Sequence, residues 1–256
     1  MNYLVQACTD IGITKQTNQD SFVAKVINTS SGRMMIAVMC DGMGGLEKGE
    51  VASATLVSAF NRWIQEVLLK VKMESLHEDF IKQQWTNLIL ENNEKIKVYG
   101  KKCGVSLGTT VTAILLTDTL YYIVNVGDTR VYEISRQGQR IITKDHTVVY
   151  KEVEQGIITE EQAHIDPRRS VLLQCVGASE QVYPDFFFGV PIQNAVYMLC
   201  TDGFRHEILP EEIYHYLQPD NMVNQEVMKN NILTLIELDK QRNERDNISV
   251  ITVRTY

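Results

Sequence analysis

Residues 38–45 read VMCDGMGG. They close an apolar run, 34–40 (MMIAVMC), that has the character of a strand buried on both faces, and the run stops at the carboxylate of Asp41. Three of the next four residues are glycine: Gly42, Gly44 and Gly45. Taken alone, an acid at a strand mouth is a turn signal, because Asp caps free backbone donors there. Its meaning depends on whether other acids end other strands.

Working outward, strands are expected over 3–9 and 21–27, each bounded by turn formers. A helix is expected to begin near Lys48, since Ala52, Leu56, Ala59, Phe60, Trp63, Val67 and Leu68 recur at three- and four-residue steps. A second, over 78–101, carries Ile81, Trp85, Leu88, Ile96 and Tyr99 on one stripe. TTVTAILL, TLYYIVNVG, RVYEIS and QRIITK then follow across short turns and predict an antiparallel meander. Short helices are expected over 150–164, where TEEQ from Thr159 fits a capping box. Two more strands (VYPDFFFGV and AVYMLC), a helix over 222–242 and the strand NISVITVR complete the chain. No repeat, low-complexity stretch or linker interrupts it, so residues 1–256 are expected to form one domain. Strands grouped apart from helices predict α+β layers rather than a parallel βαβ sheet.

Composition narrows the partners. The chain is 44% hydrophobic and 22% charged, ordinary for a globular protein, and its formal net charge of −7 opposes a nucleic-acid or anionic-membrane surface. Its five cysteines (Cys8, Cys40, Cys103, Cys175, Cys200) never take C-x-x-C spacing, and read as reduced thiols of a cytoplasmic protein. The stretch MNYLVQACTD has no basic n-region, and no run reaches the roughly 18 apolar residues of a membrane span.

Four more acids stand at strand ends. Asp128 follows YYIVNVG, Asp202 follows VYMLCT and precedes Gly203, Asp246 immediately precedes NISVITV, and Asp20 opens a strand in NQDSF. Carboxylates converging at one sheet edge repel unless protonated or neutralised by a cation. Their hard oxygens suit Mg²⁺ or Mn²⁺, and a glycine beside an acid lets a backbone carbonyl approach as well.

The elements TDIGITKQTNQDSF, CDGMGGLEKGEVAS, LGTTVTAILL, VGDTRVYEI, TKDHTVV, LLQCVGAS, LCTDGF and RDNISVITV, in this order, resemble bacterial members of the metal-dependent protein phosphatase 2C type (PPM) family of serine/threonine phosphatases. The resemblance implies an αββα sandwich, two antiparallel sheets flanked by helix pairs, with a metal centre at one end. It implies that Asp41 bridges two metal ions, that the Gly42 carbonyl serves the second, and that Asp202 and Asp246 serve the first. Asp20 is implied beside the second ion and Asp128, together with Asp202, at a third and weaker one. Lys15 is implied to grip the substrate phosphate; otherwise it is a solvated surface lysine. Two ions about 3.5–4 Å apart would lower the pKa of a shared water, and the resulting hydroxide would attack phosphorus in line. Catalysis would thus rest on Asp41, Asp202 and Lys15, with Mn²⁺ or Mg²⁺ as cofactor: two core ions and a third. The implied partners are phosphoproteins carrying phosphoserine or phosphothreonine, a cognate Ser/Thr kinase among them. The expected form is a cytoplasmic monomer with no nucleic-acid or membrane partner.

Several positions depart from that pattern. Met43 stands where many eukaryotic relatives carry a histidine, leaving the general acid unassigned, and Gln19 stands where some relatives carry an acid. His146, in KDHT, reads as structural. Arg168 and Arg169 lie in 147–170, the segment corresponding to a variable flap, where they either touch substrate or are simply solvated. Cys103 runs into GVSLG rather than a C-x₅-R phosphate loop, so no phosphocysteine is expected. Two other classes compete. A catalytically inactive binding module of the same fold usually loses a metal carboxylate, whereas all are present here. A Ca²⁺-holding structural protein would call for a D-x-D-x-D-G loop, which the sequence lacks.

Overall fold

The computed structural model describes residues 1–29, 32–43 and 48–256. Gly44 and Gly45, singled out above, lie outside the described residues. The strands are β1 (Tyr3–Asp10), β2 (Ser21–Thr29), β3 (Gly32–Cys40), β4 (Val111–Leu116), β5 (Tyr121–Val126), β6 (Arg130–Ser135), β7 (Gly138–Ile141), β8 (Asp185–Gly189), β9 (Val196–Cys200) and β10 (Ile248–Thr255). The α-helices are α1 (Gly49–Trp63), α2 (Glu78–Cys103), α3 (Val148–Glu154), α4 (Glu160–Ile165), α5 (Pro210–Leu217) and α6 (Gln225–Gln241). All strand pairing is antiparallel, in two sheets ordered β1-β10-β9-β6-β7 and β2-β3-β4-β5-β8.

The run ending at Asp41 shows why the layers stack as they do. Successive β3 residues face opposite ways. Met35, Ala37 and Met39 meet Leu199, Ile251 and Val253 of the other sheet, while Ile36, Val38 and Cys40 meet Leu56, Phe60 and Trp85 of α1 and α2. Both faces are covered, so the strand reads as an unbroken apolar run. On the far side, Met198, Cys200 and Val250 pack against Ile213 and Leu217 of α5 and Ile232 and Leu235 of α6. The result is the αββα sandwich. Its largest fully buried side chain is Trp85, which Phe60 and Trp63 meet edge-on at 5.9 and 5.7 Å; truncating such a ring typically costs about 3–5 kcal/mol.

Helix ends follow local chemistry. Gly104, left-handed at φ 67°, carries α2 two residues beyond the expected stop at Lys101. The Thr159 box forms as read, with Gln162 N–H donating to Thr159 Oγ1 at 3.3 Å and Thr159 N–H to Gln162 Oε1 at 2.8 Å. Helix α5 had a signal that the periodicity reading passed over: Pro210 in its first turn followed by Glu211 and Glu212.

The expected meander does not hold. β4 and β5 pair in one sheet and β6 and β7 in the other, with no β5–β6 pairing. Gly127, at φ 109°, turns the chain out of the first sheet, and a Cβ there would stand 2.7 Å from Thr110 Cβ. A short turn between two apolar strands looks the same in sequence whether it closes a hairpin or crosses between sheets. Here it crosses, leaving Asp128 at the junction. At the opposite edge, β1 and β10 pair in full register, Thr9 against Ser249 and Asp10 against Ile248. Among the described residues no helix is long and apolar enough to cross a membrane.

Candidate active site

Antiparallel register gathers the acids within each sheet, and the stacking of the two sheets brings the two groups together. Ser21 faces Cys40, so Asp20 and Asp41 flank one strand end. Arg130 and Val250 both pair with Cys200, which sends the residues before β6, after β9 and before β10 to the same end of their sheet. Asp128, Asp202 and Asp246 therefore converge. Asp41 is placed from both sides: its N–H donates to Thr110 Oγ1 at 2.9 Å, and its carbonyl accepts from Thr110 N–H at 2.9 Å and Thr109 Oγ1 at 2.8 Å.

Glycine matters here for packing. Gly42 donates its N–H to the Gln19 carbonyl at 3.1 Å, and a Cβ on Gly42 would sit 2.5 Å from both that carbonyl oxygen and the Gly49 carbonyl oxygen at the start of α1. The missing side chain is thus required by chain crossings, a firmer reason than approach to an ion. Gly203 does the same for the other pair of acids, since a Cβ there would lie 2.2 Å from the Asn247 carbonyl oxygen and 3.3 Å from Asp246 Cβ.

The carboxylates feel one another. Loss of water, then Asp20, Asp202, Asp128 and Asp246, pushes the Asp41 carboxyl well above the ordinary range. Burial, then the Asp202 and Asp246 charges, raises Asp20 to about 7, and its Oδ1 is buried without a hydrogen-bond partner among the described residues. Burial and then Asp202 raise Asp128 to about 7, offset in part by Arg205. Asp202 goes the other way: burial is outweighed by His206, by Arg205 and by a 3.0 Å hydrogen bond from Ser170, which together hold it below the usual carboxylate range. His206 Nε2 lies 3.5 Å from Asp202 Oδ2, and its Nδ1 lies 3.4 Å from Glu244 Oε2.

Lys15 stands among these acids, not on an open surface. Its Nζ is 2.7 Å from Asp246 Oδ1, and burial, which lowers its pKa, is outweighed by Asp246, Asp41 and Asp202, which raise it. His146 fits its structural reading: Nδ1 accepts from the Gly127 N–H at 3.1 Å and Nε2 pairs with Asp185 at 3.1 Å, which fixes the turn before Asp128. The flap arginines are tied to acids. Arg168 forks onto Glu152 at 2.9 and 2.8 Å, and Arg169 meets Glu207 at 3.1 Å. Asp128 does not pair with nearby Arg130. Arg130 instead reaches both oxygens of Asp145, with Nη2 to Oδ2 at 2.8 Å, and Asp128 faces Arg205. Sequence reading missed Arg205 and His206, although both follow LCTDGF directly.

The residues around Asp41 suit hard divalent ions. Asp41 and the four carboxylates that repel it, with one Asp20 oxygen buried and unpartnered among the described residues, call for a counter-cation. Among the described residues no three His, Cys, Asp or Glu side chains form a ready-made ligand cluster. An ion such as Mg²⁺ does not require one, because it keeps much of its water and takes one or two carboxylates. Asp128 fits a further ion less well, because a guanidinium already stands beside it.

The chain also matches known proteins. The family model described as protein phosphatase 2C matches residues 13–219. A putative protein phosphatase 2C-type of Streptococcus pyogenes is 27% identical over 247 residues, covering 96% of this chain and 94% of that protein. The crystal structure of serine/threonine phosphatase Stp1 from Staphylococcus aureus superposes with a TM-score of 0.82 at 26% identity, covering 100% of this chain and 96% of that one. The catalytic domain of the serine threonine protein phosphatase PstP, in complex with 2 manganese ions, gives 0.77 at 26% identity, covering 98% and 97%.

Proposed function

Because the chain belongs to the protein phosphatase 2C family, we propose that it is a Mn²⁺- or Mg²⁺-dependent protein phosphatase acting on phosphoserine and phosphothreonine, with residues 1–256 working as one catalytic domain. The observation that carries this reading is the convergence of Asp20, Asp41, Asp202 and Asp246 on one end of the sandwich with Lys15 among them. Asp41 and the Gly42 carbonyl, Asp202, Asp246 and Asp20 are the residues that would hold two core ions.

When bound, these ions supply positive charge for the phosphoryl oxygens and acidify the attacking water. The chain's own part is placement and charge. Thr109 and Thr110 hold the Asp41 backbone from both sides, which fixes where its side chain leaves the chain. Lys15 Nζ, 2.7 Å from Asp246, is placed to meet a phosphate oxygen and balance charge that spreads during transfer. Water adds to phosphorus and the serine or threonine oxygen leaves with a proton, so no side-chain nucleophile is used. The thiols agree: burial pushes Cys200 up to about 12 and Cys175 upward as well, far from the thiolate form a nucleophile needs.

All the acids of the site are retained, which favours an active enzyme over a binding module of the same fold. Five unbridged cysteines suit a reducing compartment such as the cytoplasm. A Ser/Thr kinase is a fitting partner, because a phosphatase of this class reverses what such a kinase does. A monomer suffices, since every proposed site residue comes from one chain. Hydrolysis of p-nitrophenyl phosphate and of a phosphothreonine peptide tests the function. Turnover should need Mn²⁺ or Mg²⁺, and full activity in excess EDTA would overturn the reading.

A further inference from the structure

The rim beside Asp128 carries a cation of its own. Arg205 lies three residues past Asp202, and the 3₁₀ turn Asp202–Phe204 brings it back to the same side, with Arg205 N–H donating to the Asp202 carbonyl at 3.0 Å. Its side chain is only 11% exposed. Nη2 donates to the Asp128 backbone carbonyl at 3.0 Å, stands 3.8 Å from Asp128 Oδ2, and reaches Asp145 Oδ2 at 3.3 Å. Nε is buried without a partner among the described residues, so surrounding negative charge rather than a full set of hydrogen bonds holds the guanidinium there.

Asp145 does not absorb that charge alone, because Arg130 already takes both of its oxygens. The second cation on Asp145 is the one turned toward Asp128 and Asp202. A divalent ion held by Asp128 would have to settle beside a fixed, buried guanidinium, which repels it through a medium that screens poorly.

We propose that Arg205 takes, as a permanent guanidinium, the place a third cation would occupy at Asp128, so that the chain works with two metal ions and draws its third positive charge from its own side chain. The inference rests on the two-ion reading above. The third ion implied by resemblance alone is therefore not part of this site. The fixed charge steadies Asp128 and Asp202 at every metal concentration, and turnover should saturate once two ions are bound.

Equilibrium dialysis against Mn²⁺ to the millimolar range, with bound metal counted per folded chain, tests this. Wild type and Asp128→Asn should each hold two ions. Arg205→Gln, close in shape but uncharged, should gain a third weak site, and the gain should vanish in the Arg205→Gln/Asp128→Asn double variant. If Arg205→Gln fails to fold by circular dichroism, Arg205→Met, which keeps the apolar stem, is counted instead. Three ions in wild type, falling to two in Asp128→Asn, would overturn this inference and leave the two-ion reading standing. So would a count of two in either folded Arg205 variant. A count of zero in wild type would remove the two-ion reading and this inference with it.

Discussion

Two arcs of the same rim carry the same side chain in opposite company. On one arc, Asp41 and Asp20 face mostly other acids; both carboxyls are driven upward, and Asp20 Oδ1 has no partner among the described residues. On the other, Asp145 and Asp202 face Arg130, Arg205 and His206, and both are held below the usual range despite burial. Side chains of the protein supply much of the positive charge on the second arc, although Asp128 beside it is still driven up to about 7. The protein leaves the first arc incomplete. Repulsion kept in the folded state is free energy that an incoming cation relieves, and it is a source of affinity for one.

The contrast breaks most sharply at Asp41. Asp41→Asn should lower kcat on the order of 10³-fold or more and loosen Mn²⁺, and Asp202→Asn should fall comparably, because each removes ligand charge. In EDTA, however, Asp41→Asn should melt no lower than wild type, since it removes repulsion. A variant that lost stability by about 1 kcal/mol while keeping its turnover would make Asp41 a turn cap after all. The next effect lies on the other arc. Arg130→Ala strips Asp145 of its forked partner and should destabilise the metal-free protein by about 3–5 kcal/mol in urea melts, with two Mn²⁺ still bound. An undisturbed midpoint would mean Arg205 alone balances Asp145.

Manganese itself sharpens the comparison. At a hundred times its Kd, Mn²⁺ should stabilise wild type by about 2.7 kcal/mol per independent site, and Asp41→Asn by clearly less. Equal shifts in both would place the ions elsewhere. The smallest change is expected at Lys15. Lys15→Ala should raise KM roughly tenfold, about 1.4 kcal/mol, with kcat changed less, because the cation meets phosphate in ground and transition states alike. An unchanged kcat/KM would reduce Lys15 to a partner of Asp246.

Much of this was legible in the chain. The seven apolar residues before Asp41 announced a strand covered on both faces, and Thr159 announced its helix start, because burial and capping leave local marks. The five acids could be counted from sequence, but only register and sheet stacking show that they meet: Ser21 opposite Cys40 in one sheet, and Arg130 and Val250 both opposite Cys200 in the other. The turn at Gly127 misled, because a crossover between sheets is a long-range event written with hairpin residues. Arg205 went unread for a related reason. A basic residue after an acid is ordinarily solvent-facing, and nothing local says that this one folds back onto Asp128.

The closing pair of strands, β1 and β10, has a kinetic consequence. Thr9 finds Ser249 across nearly the whole chain, and Asp246 stands just before the strand that makes that closure. Contacts so distant in sequence come late, because the loop entropy is lost before the pairing returns anything. The five acids Asp20, Asp41, Asp128, Asp202 and Asp246 are spread over residues 20–246, nearly as long a span. During refolding, then, phosphatase activity should be the last signal to return, trailing helix content and lagging even burial of Trp85, so that enzyme assay becomes a clock for the final strand.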